Sequence, residues 1–157
     1  MEQNRVPLAE TDQHGMIAAL AEAERGGTVG EVPVGAVIMV GEQLISQAHN
    51  ETALREDLTQ HAEIVVIRRA MNVLETDRLD EATLYVTLEP CAQCAGAIIL
   101  ARVKRVVFGA YDPKAGMVGS VEDLLRHPRL NHRPEILSGA MEEKCGALLS
   151  DFFEEKR

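Results

Sequence analysis

The sequence has no tryptophan, and aromatic residues make up only 3% of its 157 positions. That argues against a broad aromatic platform on which successive bases could stack. Cysteine is scarce too: three residues are too few, and of the wrong parity, for a disulfide framework. No apolar run reaches the roughly 18 residues that cross a bilayer. The polar opening MEQNRVPLAETDQ lacks the apolar core of a signal peptide. The expectation is a soluble, cytoplasmic protein with no membrane partner. Positive charge is short as well, with 16 Lys and Arg against 25 Asp and Glu and a net charge of −9. This weighs against non-specific polyanion binding by the whole chain but leaves room for a local basic face. No repeat, low-complexity tract or linker interrupts a composition that is 46% hydrophobic and 26% charged. One globular domain over residues 1–157 is expected.

Periodicity gives the elements. Met16, Leu20 and Ala23 recur at helical spacing between Asp12, a candidate N-cap, and Arg25, with Gly26 and Gly27 as the stop. Two β-rich runs, 32–40 and 43–48, flank Gly41 and Glu42 and read as a hairpin. Helices are predicted over 61–74, 91–101, 121–126 and 139–153, and strands over 82–88 and 104–109. The last helix carries an apolar stripe at Met141, Cys145, Leu148, Leu149 and Phe152, on which Cys145 reads as core. Ala95, Ala97, Ile98, Ile99 and Leu100 read as core of the 91–101 helix. The order αββαβαβα implies an α/β layered domain, with helices on both faces of a sheet that the opening hairpin makes mixed.

Two motifs carry chemistry: His61-Ala62-Glu63 and Pro90-Cys91-Ala92-Gln93-Cys94. Cysteines at i and i+3 project from one helical face and can reach one ion. Pro90 suits the helix entry, where its missing N–H costs nothing. The positive end of the helix dipole favours the thiolates a metal requires. Two sulfurs leave a tetrahedral zinc incomplete; one imidazole and a water would finish a catalytic site. His61 is the favoured imidazole among His14, His49, His61, His127 and His132, because it too opens a predicted helix. His14 reads as solvated and His49 as structural. Glu63, two residues on, is then placed as the general acid/base of a hydrolytic deamination. This is the arrangement of the zinc nucleobase deaminases. Taken separately, a Cys-x-x-Cys is often packing and a His-x-Glu is usually a solvated turn; the combination is what carries the reading. A structural zinc finger of Cys91, Cys94, His127 and His132 competes with it. However, 32 residues separate Cys94 from His127, against about 12–15 in such fingers, and Glu63 is left without a role.

With these residues in place, the chain resembles the bacterial tRNA-specific adenosine deaminase family, from about Met16 to Phe153. The resemblance rests on the zinc motifs and on Glu31-Val32-Pro33-Val34-Gly35-Ala36, His49-Asn50 and the run Thr83 to Cys91. The segments 106–110, 131–133 and 149–153 separate it from cytosine, guanine and nucleotide deaminases. It implies a three-layer α/β/α, cytidine-deaminase-like fold and conversion of a wobble adenosine to inosine in a tRNA anticodon. It further implies a homodimer with one zinc ion per subunit, held by His61, Cys91 and Cys94, and Glu63 as proton shuttle. Asn50, Ala62 and Leu88 would meet the flipped-out base, Asp112 the anticodon backbone, and Phe152 and Phe153 the substrate entrance. Two departures stand out: Gln93 where the family often has Met, and a short, acidic end at Phe153-Glu154-Glu155-Lys156-Arg157.

Charge is unevenly spread. Residues 102–133 hold seven basic and three acidic side chains, a net +4, which leaves −13 on the other 125 residues. Lys114, Arg126, Arg129 and Arg133 are accordingly candidate partners for tRNA phosphates.

Overall fold

The computed structural model describes residues 7–156; the polar opening segment through Val6 and the terminal Arg157 lie outside it. Its elements are α1 (Glu10–Thr28), β1 (Gly35–Val40), β2 (Gln43–His49), α2 (Ala62–Leu74), β3 (Ala82–Leu88), α3 (Ala92–Ala101), β4 (Arg105–Ala110), β5 (Glu135–Ser138) and α4 (Glu142–Glu155). The strands form one five-stranded sheet in the order β2-β1-β3-β4-β5. β1 pairs antiparallel with β2 and β3, whereas β3, β4 and β5 run parallel, so the sheet is mixed as expected.

Alternation along the central strands sorts the core into two layers. Ile38, Leu84, Val86, Val106 and Phe108 face α2 and α3, where they meet Val66, Ala70 and Ile98. Val37, Met39, Tyr85 and Val107 face the other way, onto Met16 and Ala19 of α1 and Cys145 of α4. Gly35 lets α1 lie directly on the sheet, because a Cβ there would overlap the Ala19 carbonyl and the Ala23 amide.

Several local expectations are corrected. α1 runs through Gly26 and Gly27 to Thr28, with Ala9 at its N-cap. Gly26 packs against the His49 side chain, so it serves packing and not helix termination. Asp12 is buried within α1, where it accepts hydrogen bonds from the Tyr85 hydroxyl (2.7 Å) and the two terminal guanidinium nitrogens of Arg105 (2.6 and 2.9 Å). The 121–126 segment is not a helix. A bridge between Val118 and Asp123 and the Leu124 amide bonded to the Met117 carbonyl hold it as turns. β5, absent from the sequence reading, adds an edge strand. Leu100 points outward and is 82% exposed, while Cys145 is core as read.

Candidate active site

Two helices begin at the same end of the sheet. His61 is the N-cap of α2 and Cys91 the N-cap of α3, both with extended backbone. Pro90 therefore lies one residue ahead of the cap and not in the first turn. Neither side chain bonds the start of its own helix; they meet each other instead, and Cys94 joins them from the first turn of α3. His61 Nδ1 is 3.5 Å from the Sγ of Cys91 and 3.5 Å from that of Cys94. All three donor atoms lie within 4.8 Å of one another.

The donor set fits zinc. With zinc–sulfur bonds of about 2.3 Å and zinc–nitrogen bonds of about 2.0–2.1 Å at tetrahedral angles, the N···S edge is about 3.5 Å. That is the separation seen. A soft, two-thiolate, one-imidazole set with a fourth direction open suits a catalytic metal position. Contact between the two thiols drives their pKa values apart: the hydrogen bond from Cys94, with His61 adding to it, lowers that of Cys91, while the same contact and burial raise that of Cys94. Cys91 is thus poised as the thiolate, and partnership with it raises the imidazole pKa of His61.

The constellation opens into a cavity of about 400 Å³, lined by Asn50, His61, Glu63, Leu88, Cys91 and Asp112 among others. Glu63, in the first turn of α2, is 4% exposed, and its burial pushes the carboxyl pKa upward. Asn50 is clamped between elements: Nδ2 donates to the Val32 carbonyl (3.3 Å), and Oδ1 accepts the Ala62 N–H (2.8 Å). Ala62 is fully buried and enters through that amide. The Oδ1 of Asp112 accepts the Lys114 and Ala115 amides at 3.0 and 3.2 Å, holding the turn that follows β4. Gln93 points away from the metal position and donates to the Thr59 carbonyl (2.9 Å).

The competing zinc-finger set does not assemble. His132 donates to the Val103 carbonyl (2.7 Å), and His127 Nδ1 accepts the Arg129 amide (3.2 Å). Among the described residues, the one group able to hold a metal is His61, Cys91 and Cys94.

The MafB19-like deaminase family model matches residues 10–157. The chain is 49% identical over 146 residues to the tRNA-specific adenosine deaminase of Bacillus subtilis, covering 93% of this chain and 91% of that protein. It is 45% identical over 144 residues to the enzyme of the same name from Agrobacterium fabrum, covering 92% and 95%. The chain belongs to the tRNA-specific adenosine deaminase family. A solved structure from work on A-to-I editing by tRNA:A34 deaminases at the wobble position of transfer RNA superposes on this member with a TM-score of 0.84. The two share 44% identity, over 87% of this chain and 99% of that one. The guanine deaminase of Nitrosomonas europaea shares the fold alone, at 20% identity and a TM-score of 0.73, over 96% of this chain and 88% of that one.

Other residues singled out in this family member lie away from the cavity lining. Phe152 and Phe153 stack edge-on at the end of α4, with centroids 5.5 Å apart. Lys114, Arg126, Arg129 and Arg133 are all exposed. Arg126 pairs with Asp123 (2.7 Å), and Arg133 donates to the Pro128 and Leu130 carbonyls. Two buried carboxylates had no role assigned from the sequence: Glu89 on the cavity wall, and Glu31 behind it, next to the wall residue Val32. Glu31 accepts the Thr52 hydroxyl and the Ala53 and Leu54 amides. Glu89 gathers the segment after Asp112. Both stood in the motifs, but only the fold reveals partners about 20–30 residues away.

Proposed function

We infer that this chain catalyses hydrolytic deamination of adenosine to inosine at the wobble position of a tRNA anticodon. The observation that carries the reading is the convergence of His61, Cys91 and Cys94 with the Glu63 carboxyl in one cavity. A cavity of about 400 Å³ suits a single base, so the target adenosine enters extruded from its strand. His61, Cys91 and Cys94 would hold one zinc ion, whose chemistry when bound is Lewis-acid activation of the attacking water. Glu63 takes a proton from that water as its oxygen adds to C6 of the purine, and delivers a proton to N1. It then serves the departing amine, which leaves as ammonia while the C6 carbonyl of inosine forms. Burial suits Glu63 to this work, since a carboxyl that holds its proton more firmly can both accept and return it.

Asn50 spends one donor and one acceptor on the protein, leaving a second N–H and a second lone pair for the base edge. Leu88, Val32 and Val34 supply the apolar contact. Asp112 would meet the anticodon backbone at the cavity rim, with Phe152 and Phe153 further out along the bound stem. Lys114, Arg126, Arg129 and Arg133 would take phosphates. A homodimer acting in the cytoplasm completes the reading; no described helix is long and apolar enough to cross a membrane.

The test is nucleoside analysis by mass spectrometry after incubation with a tRNA or anticodon stem-loop bearing a wobble adenosine. Free adenosine, cytidine and guanine run beside it. Inosine formed at the wobble position is the expected product. Conversion of a small molecule with the RNA untouched would overturn the assignment in favour of a free-base or nucleotide deaminase.

A further inference from the structure

Glu89 opens the strand-to-helix connection that delivers Cys91, two residues before that metal ligand. It is 2% exposed, yet it belongs to the cavity wall. Its carboxylate is saturated by one segment. Oε1 accepts the Asp112 amide (3.0 Å) and the Ser120 hydroxyl, while Oε2 accepts the Val118 (2.9 Å) and Ser120 (3.1 Å) amides. The Met117 amide donates to the Pro90 carbonyl beside it (2.9 Å). Gly116 passes so close that a Cβ there would fall on the Glu89 carboxyl. The segment wraps around this side chain, touching it at both ends and in the middle.

We propose that Glu89 is a positioning residue, fixing residues 112–120 as the substrate-facing lip of the cavity in register with the Cys91 turn. The proposal rests on the functional reading above and adds to it a residue that acts through others. The lip contributes Asp112 and Ala115 to the cavity and carries the exposed Lys114 between them. These side chains sit on a loop, and backbone amides in a loop have no ladder to hold them; one buried carboxylate replaces that ladder. Because only Pro90 separates Glu89 from Cys91, the distance from lip to metal position is fixed by two residues of chain. The expected consequence is a role in seating the substrate and not in the proton transfers, which Glu63 serves from α2.

The test uses the full-length, zinc-loaded enzyme and an anticodon stem-loop. Glu89→Gln keeps the shape but turns an N–H₂ toward backbone donors. KM should rise about tenfold or more, the scale of removing one charge-assisted hydrogen bond from a segment that must be ordered to bind. Zinc stoichiometry and kcat should stay close to wild type. Amide hydrogen exchange reads the positioning without turnover, and the Asp112, Val118 and Ser120 amides should exchange faster in E89Q. Unchanged exchange, an unchanged KM, or a loss confined to kcat or zinc content overturns the proposal. Should E89Q fail to fold, Ser120→Ala removes one donor and leaves the carboxylate in place. It must raise KM and speed exchange at Asp112 and Val118, or the proposal falls. A wild-type enzyme inactive on the stem-loop overturns the functional reading instead, and the exchange comparison then decides the positioning claim alone.

Discussion

Replacing Asp12 with Asn should expose how α1 is fastened to the sheet. The Asp12 carboxylate is 5% exposed and holds Arg105 through two short bonds, with the Tyr85 hydroxyl as a third partner. Asn keeps the shape and can still accept from Tyr85, but it leaves the guanidinium without its counter-charge. Breaking a fully buried pair from one side costs about 3–5 kcal/mol. The Arg105 side chain is 26% exposed, and Glu135 stands 3.8 Å away, so part of that cost is relieved by water and a second carboxylate. The expected loss is about 2–3 kcal/mol, or a fall of about 4–12 °C in Tm for a chain of this size. Tyr85→Phe, which removes only the hydroxyl, should cost about 1 kcal/mol. The pH dependence has a definite sign. The hydrogen bond from Arg105, against the opposing effect of burial, holds the Asp12 pKa below its usual value. Its contribution is therefore fully present above about pH 4, the unfolded value, and is lost as pH falls through the lower folded-state value. Urea titrations of both proteins across acid pH measure this directly. A D12N chain within about 0.5 kcal/mol of wild type, with the same acid slope, would refute the reasoning.

Two further outcomes follow from the site and its surroundings. His61→Ala should lose most bound zinc by elemental analysis while the fold persists by circular dichroism, because two sulfurs alone leave the metal half-held. Arg126→Ala/Arg129→Ala should flatten the log–log salt dependence of tRNA binding by somewhat under one unit for each phosphate no longer neutralised. An unchanged slope would assign both arginines to solvated surface, and Arg126 already has Asp123 as a partner.

What the sequence discloses and what it hides divide along contact range. His61, Glu63, Cys91 and Cys94 are legible because their geometry is nearly local: two N-caps and one i,i+3 pair on apolar helices that must pack side by side. The hairpin of β1 and β2 and the mixed sheet are legible for the same reason. Asp12 resembles a helix cap in the sequence because its partners, Tyr85 and Arg105, lie 73 and 93 residues away. Glu89 stands in the motif, yet its partners arrive only when the segment after β4 folds back across it. β5 is four residues on a half-exposed edge, too short to show a period of two. The 121–126 stretch carries helix-forming residues, but the bridge at Val118 and the anchored Ser120 leave it no room to wind.

The central claim is that Glu63 moves protons beside a metal held by three other residues, and one comparison tests it most directly. Glu63→Ala and wild type are purified in parallel and assayed for bound zinc and for inosine formed in the anticodon stem-loop. The account predicts equal zinc and a turnover reduced by about 10⁴ or more, at or beyond the upper end for general acid–base catalysis because one carboxyl serves several transfers. A Glu63→Ala chain with full zinc and more than about a tenth of wild-type turnover would contradict it.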